Sequence, residues 1–331
     1  MIDILFVHSN ASAKIYQGLA TNNAAIEPPI WAAMLANSVR SNGFEAQILD
    51  AEAERIDYLE TARRISEYDA RITCFVVYGQ QPSASSQNME GACQTALEFK
   101  NLHPESFVVF VGAHVSALPH ETMQSHSFID ALCQNEGVYT LRDLLAIKNL
   151  KDEFMLSRVK GLVFRNFQDQ VIMNDPSGIV PSNRLEIDLP GMAWDLLPPL
   201  KKYRTAGWHS WSNNSEKEPF AALYTSLGCP YRCSFCMINI INRTKQGEGV
   251  SAADSNKFRH WSPEFIIKQF DYFAEQGVRN IKIADELFVL KPRHFMAICE
   301  MIKQRGYDFN IWAYSRAVSY THLTLPTNRE V

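Results

Sequence analysis

Residues 107–111 form the unbroken apolar run Phe107-Val108-Val109-Phe110-Val111, which ends at Gly112. A short run rich in β-branched and aromatic residues is typical of a strand that is buried on both faces of a sheet. Similar runs predict four more strands, at 2–7, 46–49, 71–78 and 128–133, and helical patterns lie between them at 28–40, 54–66, 87–101, 118–124 and 138–148. This alternation predicts an α/β fold with a doubly wound parallel sheet, whose ligands bind beyond the carboxyl ends of the strands.

The composition is that of an ordinary globular protein. The chain has 331 residues, 46% of them hydrophobic, and a formal net charge of -4. This length suggests two domains, and no long run of Lys and Arg indicates binding to nucleic acid or to an anionic membrane. No apolar run approaches the roughly 18 residues that a membrane-spanning helix needs, and the N-terminus lacks the features of a signal peptide. We therefore expect a cytoplasmic protein whose seven cysteines stay mostly reduced.

The second half of the chain alternates again after a connecting region. A hairpin is predicted over 160–173, and prolines become frequent between 176 and 199. Strands at 220–226, 279–284 and 310–315 then alternate with helices at 263–276 and 292–305, as in the βα units of a barrel. We expect a first domain over 1–150, a hairpin and linker over 151–215 and half of a barrel over 216–317. Residues 318–331 resemble a translated sequencing adapter, which indicates a truncated chain.

Three cysteines lie close together in the stretch Ser226-Leu227-Gly228-Cys229-Pro230-Tyr231-Arg232-Cys233-Ser234-Phe235-Cys236. Three thiolates can bind three irons of a 4Fe-4S cluster and leave the fourth iron open for a substrate. The same spacing would place the thiols on one face of a helix, but Gly228 and Pro230, directly after a predicted strand, favour a loop. A structural zinc site is the other alternative, and it would need a fourth ligand at finger-like spacing, which the sequence lacks. The next candidates for that ligand are His209, His260 and Cys299.

This Cys-x-x-x-Cys-x-x-Cys spacing, with an aromatic residue before the last cysteine, resembles the signature of radical S-adenosylmethionine enzymes. Together with the alternating first half, the chain up to residue 317 resembles the subgroup that carries a flavodoxin-like cobalamin-binding domain. The resemblance implies a 4Fe-4S cluster on Cys229, Cys233 and Cys236, and contacts from Phe235 and the backbone of Met237 to the adenine of S-adenosylmethionine. It also implies reductive cleavage to methionine and a 5′-deoxyadenosyl radical, with electrons from a reductant such as flavodoxin or ferredoxin.

The same resemblance implies further site residues. Asp285 and Glu286 end the second predicted barrel strand, where an acid could accept hydrogen bonds from the methionine ammonium. Arg316 ends the third strand and resembles a polar family position near this cofactor. The elements that resemble the cobalamin site contain Pro28, Pro29, Gly79, Gln80, Gly112, Ala113, His114, Glu136 and Gly137. The chain departs from the family's glycines at Ala113 and Asn135, and it has no Asp-x-His-x-x-Gly, so a histidine ligand to cobalt is not expected.

The resemblance implies methylation of an unactivated carbon in a small-molecule or biosynthetic-intermediate substrate, with cobalamin as the methyl carrier. Three alternatives stay open. The chain could be a cobalamin-binding module whose barrel is incomplete and which does not catalyse. Radical cyclisation or rearrangement is also known in the subgroup. A methylthiotransferase would need ligands for a second cluster, for which Cys74, Cys93 and Cys133 are available, although their surroundings do not resemble that family.

Overall fold

The computed structural model describes residues 2–12, 15, 24–79, 84–206, 217–231, 233, 236, 238–242, 245–246 and 257–316. The predictions for Gln80, His209, Phe235, Met237 and the tail 318–331 lie outside these residues. Two larger sheets and a two-stranded ribbon organise the described chain. Within that part of the chain, no helix combines the length and the apolar character needed to cross a membrane.

The first sheet has seven strands in the order β2-β1-β3-β4-β5-β6-β7. They are β1 (Ile2–His8), β2 (Ala46–Asp50), β3 (Ala70–Val76), β4 (Val108–Val111), β5 (Ala131–Cys133), β6 (Leu162–Arg165) and β7 (Val171–Met173). Strands β2, β1, β3, β4 and β5 run parallel, and β1 lies between β2 and β3. This arrangement confirms the predicted doubly wound sheet, and it places the topological switch point between β1 and β3, where ligands bind in such folds.

Helices cover both faces of this sheet, and the sequence of β1 explains why. Ile4 and Phe6 pack into one apolar core, whereas Leu5 and Val7 pack into the other, because successive side chains of a strand point to opposite faces. The helices are α1 (Ile30–Ser41), α2 (Ala51–Glu54), α3 (Tyr58–Glu67), α4 (Ala84–Leu102), α5 (Ala113–Ala117), α6 (Pro119–Ser125), α7 (Val138–Leu145), α8 (Glu153–Leu156) and α9 (Leu185–Asp188).

The single helix predicted over 54–66 is divided into α2 and α3. Asp50 caps α2 by accepting a hydrogen bond from the backbone N–H of Ala53, and Arg55 ends this helix in a left-handed conformation. Asp57 then begins α3 by accepting a hydrogen bond from the backbone N–H of Glu60. Aspartate is among the preferred residues at the first position of a helix, so the two caps interrupt the continuous helical pattern.

The hairpin predicted over 160–173 extends the first sheet. It forms β6 and β7, and β6 pairs antiparallel with β5, with Val163 opposite Leu132. Leu162, Val163 and Phe164 are buried by this pairing, which covers an edge of β5 that would otherwise expose unpaired backbone groups. The sequence predicted the hairpin but not the sheet edge on which it lies.

The second half of the chain forms a three-stranded parallel sheet in the order β12-β11-β8 and an antiparallel ribbon of β9 and β10. Its elements are β8 (Phe220–Leu223), β9 (Ser226–Leu227), β10 (Arg259–His260), α10 (Pro263–Glu275), β11 (Asn280–Ile283), α11 (Pro292–Arg305) and β12 (Asn310–Ala313). These units confirm the predicted alternation of a partial barrel. The strand predicted over 220–226 is divided, however, because the chain leaves the parallel sheet at Tyr224 and enters the ribbon at Ser226.

Candidate functional site

The three cysteines of the motif follow β9 directly. All are half-buried, and the backbone N–H of Cys236 donates a 3.1 Å hydrogen bond to the carbonyl of Cys233. Gly228 precedes them with a φ of +83°, and a Cβ at this position would lie 2.1 Å from the carbonyl oxygen of Lys257. The two ends of the segment 228–257, which we call the cysteine loop, therefore touch, and only glycine fits between them.

The donor set of this loop fits an iron–sulfur cluster by its chemistry. Burial raises the pKa of the Cys229 thiol, and the nearby Cys236, Glu286 and Cys233 add to the shift, whereas a backbone hydrogen bond at Tyr231 opposes it. Among the residues that the structure describes, no three His, Cys, Asp or Glu side chains lie close enough together to hold a metal ion. Three thiols nevertheless share one loop, and thiolate is the usual ligand of such clusters. Cluster binding by these cysteines stays a prediction.

Asp285 lies just beyond β11 and is fully buried. Its carboxylate accepts hydrogen bonds from the backbone N–H of Thr225 (2.6 Å) and from the hydroxyls of Thr225 (2.5 Å) and Ser226 (2.6 Å). Burial raises its pKa to about 6, although these hydrogen bonds oppose the shift. Both carboxylate oxygens thereby tie β11 to the segment that leads into the cysteine loop.

Glu286 and Arg316 lie beside the same loop. Glu286 lines a small cavity together with Gly228, and burial, followed by the charge of Asp285, raises its pKa to about 7. The guanidinium of Arg316 lies 4.0 Å from the ring centroid of Tyr231, which belongs to the cysteine loop. The structure therefore brings both residues to the loop, and their contact with S-adenosylmethionine stays a prediction.

A larger cavity of about 410 Å³ lies between the two halves of the chain. His8 and Tyr78, at the carboxyl ends of β1 and β3, bound it on one side, and Lys282 and Trp312 of the second sheet bound it on the other. The cavity therefore lies at the switch point of the first sheet, where ligands bind in doubly wound folds. The small cavity adjoins it, since both are lined by Trp31, Tyr78, Gly79 and Tyr224.

The residues predicted to bind cobalamin are divided between these cavities and the loops behind them. Pro28 and Pro29 line the larger cavity, Ala113 lines the smaller one, and Gly79 lines both. Gly112 lies behind Ala113, where an added Cβ would be 2.9 Å from the backbone carbonyl carbon of Val77, so the close approach requires glycine. The remaining described members of the set line neither cavity, and they are His114, Glu136 and Gly137.

The sequence patterns did not predict an ion pair at the larger cavity. The ammonium of Lys282, on β11, lies 2.9 Å from a carboxylate oxygen of Glu27, which precedes α1. The same ammonium lies 5.2 Å from the centroid of the Trp312 ring, a favourable cation–π distance. The available signal is a lysine between two isoleucines in a short strand, Ile281-Lys282-Ile283, because a lysine is rarely buried without a partner.

A second polar group, centred on His8 and Asp50, lies at the same cavity. Nδ1 of His8 lies 2.9 Å from Asp50, whose other carboxylate oxygen accepts a 2.8 Å hydrogen bond from the hydroxyl of Tyr203. Burial would lower the pKa of His8, but Asp50 and Glu52 raise it overall, and burial raises the pKa of Glu52 to about 7. His8 and Glu52 both line the cavity, and the raised pKa of Glu52 allows its carboxyl group to exchange a proton with a ligand there near neutral pH.

The buried side chain of His294 is expected to make the stability of the protein depend on pH. It is buried beside Thr225, whose hydroxyl lies 3.2 Å from its Nε2, and burial, His260 and Lys291 lower its pKa from 6.5 to about 4. The folded state therefore binds fewer protons than the unfolded state between these values, and stability is lost as pH falls from 6.5 to 4. Replacing His294 by glutamine should reduce this loss by on the order of 1–3 kcal/mol in chemical denaturation at pH 4.5 and pH 7.

The matched control for this measurement is His103→Gln, because His103 is exposed. It should leave the difference between the two pH values unchanged. An equal change in both variants would show that burial of His294 is not the cause.

Residues 16–145 match the family model of the B12 binding domain. The chain is 28% identical over 304 residues to an uncharacterised methyltransferase of Pyrococcus horikoshii, an alignment that covers 92% of this chain and 58% of the relative. It is 25% identical over 250 residues to a 2-(S-pantetheinyl)-carbapenam-3-carboxylate methyltransferase of Streptantibioticus cattleyicolor, with 71% of this chain and 33% of that protein covered. The chain thus spans less than two thirds of the length of these relatives.

A solved structure supports the fold. The chain resembles the cobalamin-dependent S-adenosylmethionine radical enzyme OxsB with aqua-cobalamin bound, with a TM-score of 0.65 and 19% identity. The likeness covers 94% of this chain and 38% of that one. This chain therefore joins a region that matches the B12 binding domain to βα units that carry the three-cysteine motif, and in that arrangement it resembles a cobalamin-dependent S-adenosylmethionine radical enzyme.

Proposed function

We propose that this chain binds cobalamin, a 4Fe-4S cluster and S-adenosylmethionine, and that the enzyme to which it belongs methylates an unactivated carbon of a small-molecule substrate. The observation that carries the proposal is the pair of adjoining cavities, which connect the carboxyl ends of β1 and β3 with the cysteine loop. A methyl carrier held by the first half and a radical source held by the second would meet in this space. The two relatives that are named as methyltransferases support methyl transfer as the reaction.

Each half of the chain would contribute its own residues. We assign the cluster to Cys229, Cys233 and Cys236, and S-adenosylmethionine to residues around them, namely Phe235, Met237, Asp285, Glu286 and Arg316. We assign cobalamin to Pro28, Pro29, Gly79, Gln80, Gly112, Ala113, His114 and Gly137, and Glu136 lies in the same loop as Gly137. When bound, these cofactors would supply reductive cleavage and the transferable methyl group.

The protein's own side chains would bind the cofactors, hold the cysteine loop in place and keep water out of the site. Glu286 faces the small cavity and, when ionised, can accept a charge-assisted hydrogen bond from an ammonium group. Asp285 would act indirectly, because it holds Thr225 at the entrance to the cysteine loop. The aromatic side chains of Trp31, Tyr78 and Tyr224 line both cavities and would keep water away from a reactive species there.

The enzyme would need a substrate and an electron donor. The relative that is named as a 2-(S-pantetheinyl)-carbapenam-3-carboxylate methyltransferase supports a small-molecule substrate. Reductive cleavage needs an electron donor, and we propose a cytoplasmic flavodoxin or ferredoxin for this role. The net charge of -4 does not favour nucleic acid as a partner.

Anaerobic reconstitution with iron, sulfide and hydroxocobalamin, followed by S-adenosylmethionine and a chemical reductant, tests the proposal. We expect 5′-deoxyadenosine whenever iron is bound, and S-adenosylhomocysteine, the product of methyl transfer, only when hydroxocobalamin is also present. Bound cobalamin without either product would support the cofactor-binding module instead. 5′-Deoxyadenosine without S-adenosylhomocysteine would favour cyclisation or rearrangement.

A further inference from the structure

A buried ion pair joins the two halves of the chain. Glu136, in the loop between β5 and α7, accepts a short hydrogen bond from Arg259 of β10, and the two side chains are only 1% and 2% exposed. The backbone of Val180, in the connection between the halves, takes part as well. Its N–H donates to Glu136 at 2.9 Å, and its carbonyl accepts from Arg259 at 2.6 Å. Three segments that are distant in sequence therefore meet at one pair of charges.

The position of Arg259 connects this pair with the cysteine loop. In the ribbon, Arg259 lies opposite Leu227, the residue before Gly228 and Cys229. Arg259 is also two residues beyond Lys257, whose carbonyl touches Gly228. The cation is thus attached to the base of the cysteine loop, whereas its carboxylate partner belongs to the domain that matches the B12-binding family.

A second buried carboxylate acts on the other strand of the ribbon. Asp285 holds Thr225 and Ser226 from β11, and Ser226 pairs with His260 across the ribbon. Asp285 therefore attaches the ribbon to the second sheet, and Glu136 attaches it to the first domain. The two carboxylates together connect the ribbon, at the base of the cysteine loop, to both halves of the chain.

The energetics of buried ion pairs favour a role in orientation. Removing water from both charges offsets much of their attraction, so such a pair adds little stability compared with apolar residues of similar volume. Its geometry is directional, however, because a guanidinium and a carboxylate match only in a few arrangements. A buried pair between two domains is therefore better suited to set their relative position than to stabilise either one.

We propose that Glu136 and Arg259 are positioning residues that set the distance between the cobalamin-binding domain and the cysteine loop. The inference rests on the proposed function, since it assigns one cofactor to each side of the pair. Glu136 was expected to bind cobalamin, but it lines neither of the two cavities described above. Its role would instead be exerted through Arg259. The pair would hold the methyl carrier and the radical source at a reactive separation.

The test uses the full chain with the double substitution Glu136→Gln and Arg259→Met. Both charges are removed together, so neither is left buried without its partner, and folding is expected to survive. The control removes the ion pair of Lys100 and Asp130, whose charged atoms lie 2.8 Å apart within the first domain, by Lys100→Met and Asp130→Asn. Pulsed electron paramagnetic resonance then measures the distance between cob(II)alamin and the reduced cluster, since both are paramagnetic.

We expect one narrow distance distribution in the wild type and the control, and a broadened or shifted one in the Glu136/Arg259 variant at equal occupancy of both centres. An unchanged distribution would overturn the inference. If the wild type binds only one centre, the proposed function fails, and hydrogen exchange of the cofactor-free proteins decides the inference by itself. Amides 257–260 should exchange faster in the Glu136/Arg259 variant than in the control, and equal rates would contradict a positioning role.

Discussion

Cys233→Ala is expected to abolish both cluster binding and reductive cleavage of S-adenosylmethionine. A cube with three protein thiolates loses an essential ligand when one is removed, so iron should fall from about four per chain to near zero after reconstitution. Cobalamin binding should persist, because the carboxyl edge of the first sheet does not include this residue. Iron analysis, the absorbance of the cluster and formation of 5′-deoxyadenosine measure the effect.

The control for this substitution is Cys299→Ala. Cys299 is exposed on α11, outside the cysteine loop, and its removal should leave the iron content unchanged. A Cys233→Ala protein that still formed 5′-deoxyadenosine would contradict the cluster assignment. About eight irons per wild-type chain would instead favour a second cluster, as in a methylthiotransferase.

Gly228→Ala is expected to disrupt the base of the cysteine loop. The new Cβ would lie 2.1 Å from the carbonyl oxygen of Lys257, which is backbone and has no rotamer by which to move away. The left-handed φ of +83° adds a conformational cost of about 1–2 kcal/mol. We expect a loss of stability above that cost, together with reduced iron binding, measured by chemical denaturation and iron analysis.

Gly277→Ala is the control that separates the clash with Lys257 from the cost of the left-handed backbone conformation. Gly277 has a similar φ of +70°, but a Cβ there would meet nothing within 4 Å. The free energy of unfolding of this variant should fall only by the conformational cost of about 1–2 kcal/mol, and its iron content should be unchanged. Equal losses in the two variants would mean that contact with Lys257 does not constrain the loop.

Local sequence patterns predicted most of the fold. The apolar runs around Val109 and Phe6 became central strands of a doubly wound sheet, and the helix predicted over 292–305 has those bounds in the structure. These predictions succeeded because strand and helix periodicities depend on residues a few positions apart. The helix over 54–66 failed for a local reason as well, since Asp57 begins a new helix where the periodicity alone continues.

The candidate site was predicted only in part. The sequence placed Cys229 and its partners in a loop after a strand, and the structure has them there. The sequence did not show that Asp285 is fully buried whereas Glu286 lines a cavity. Adjacent residues at the end of a strand point in different directions, and which direction is buried depends on what packs against each.

By itself, the sequence determined the order of the parallel strands and of the longer helices, and the presence of three thiols with cluster-like spacing. Tertiary structure alone decided that the hairpin extends the first sheet, that Lys282 pairs with Glu27 and that Glu136 pairs with Arg259. Glu136 and Arg259 are 123 positions apart, and no periodicity relates residues at that separation. Their contact exists because the two halves of the chain pack against each other, and burial there leaves each charge with the other as its partner.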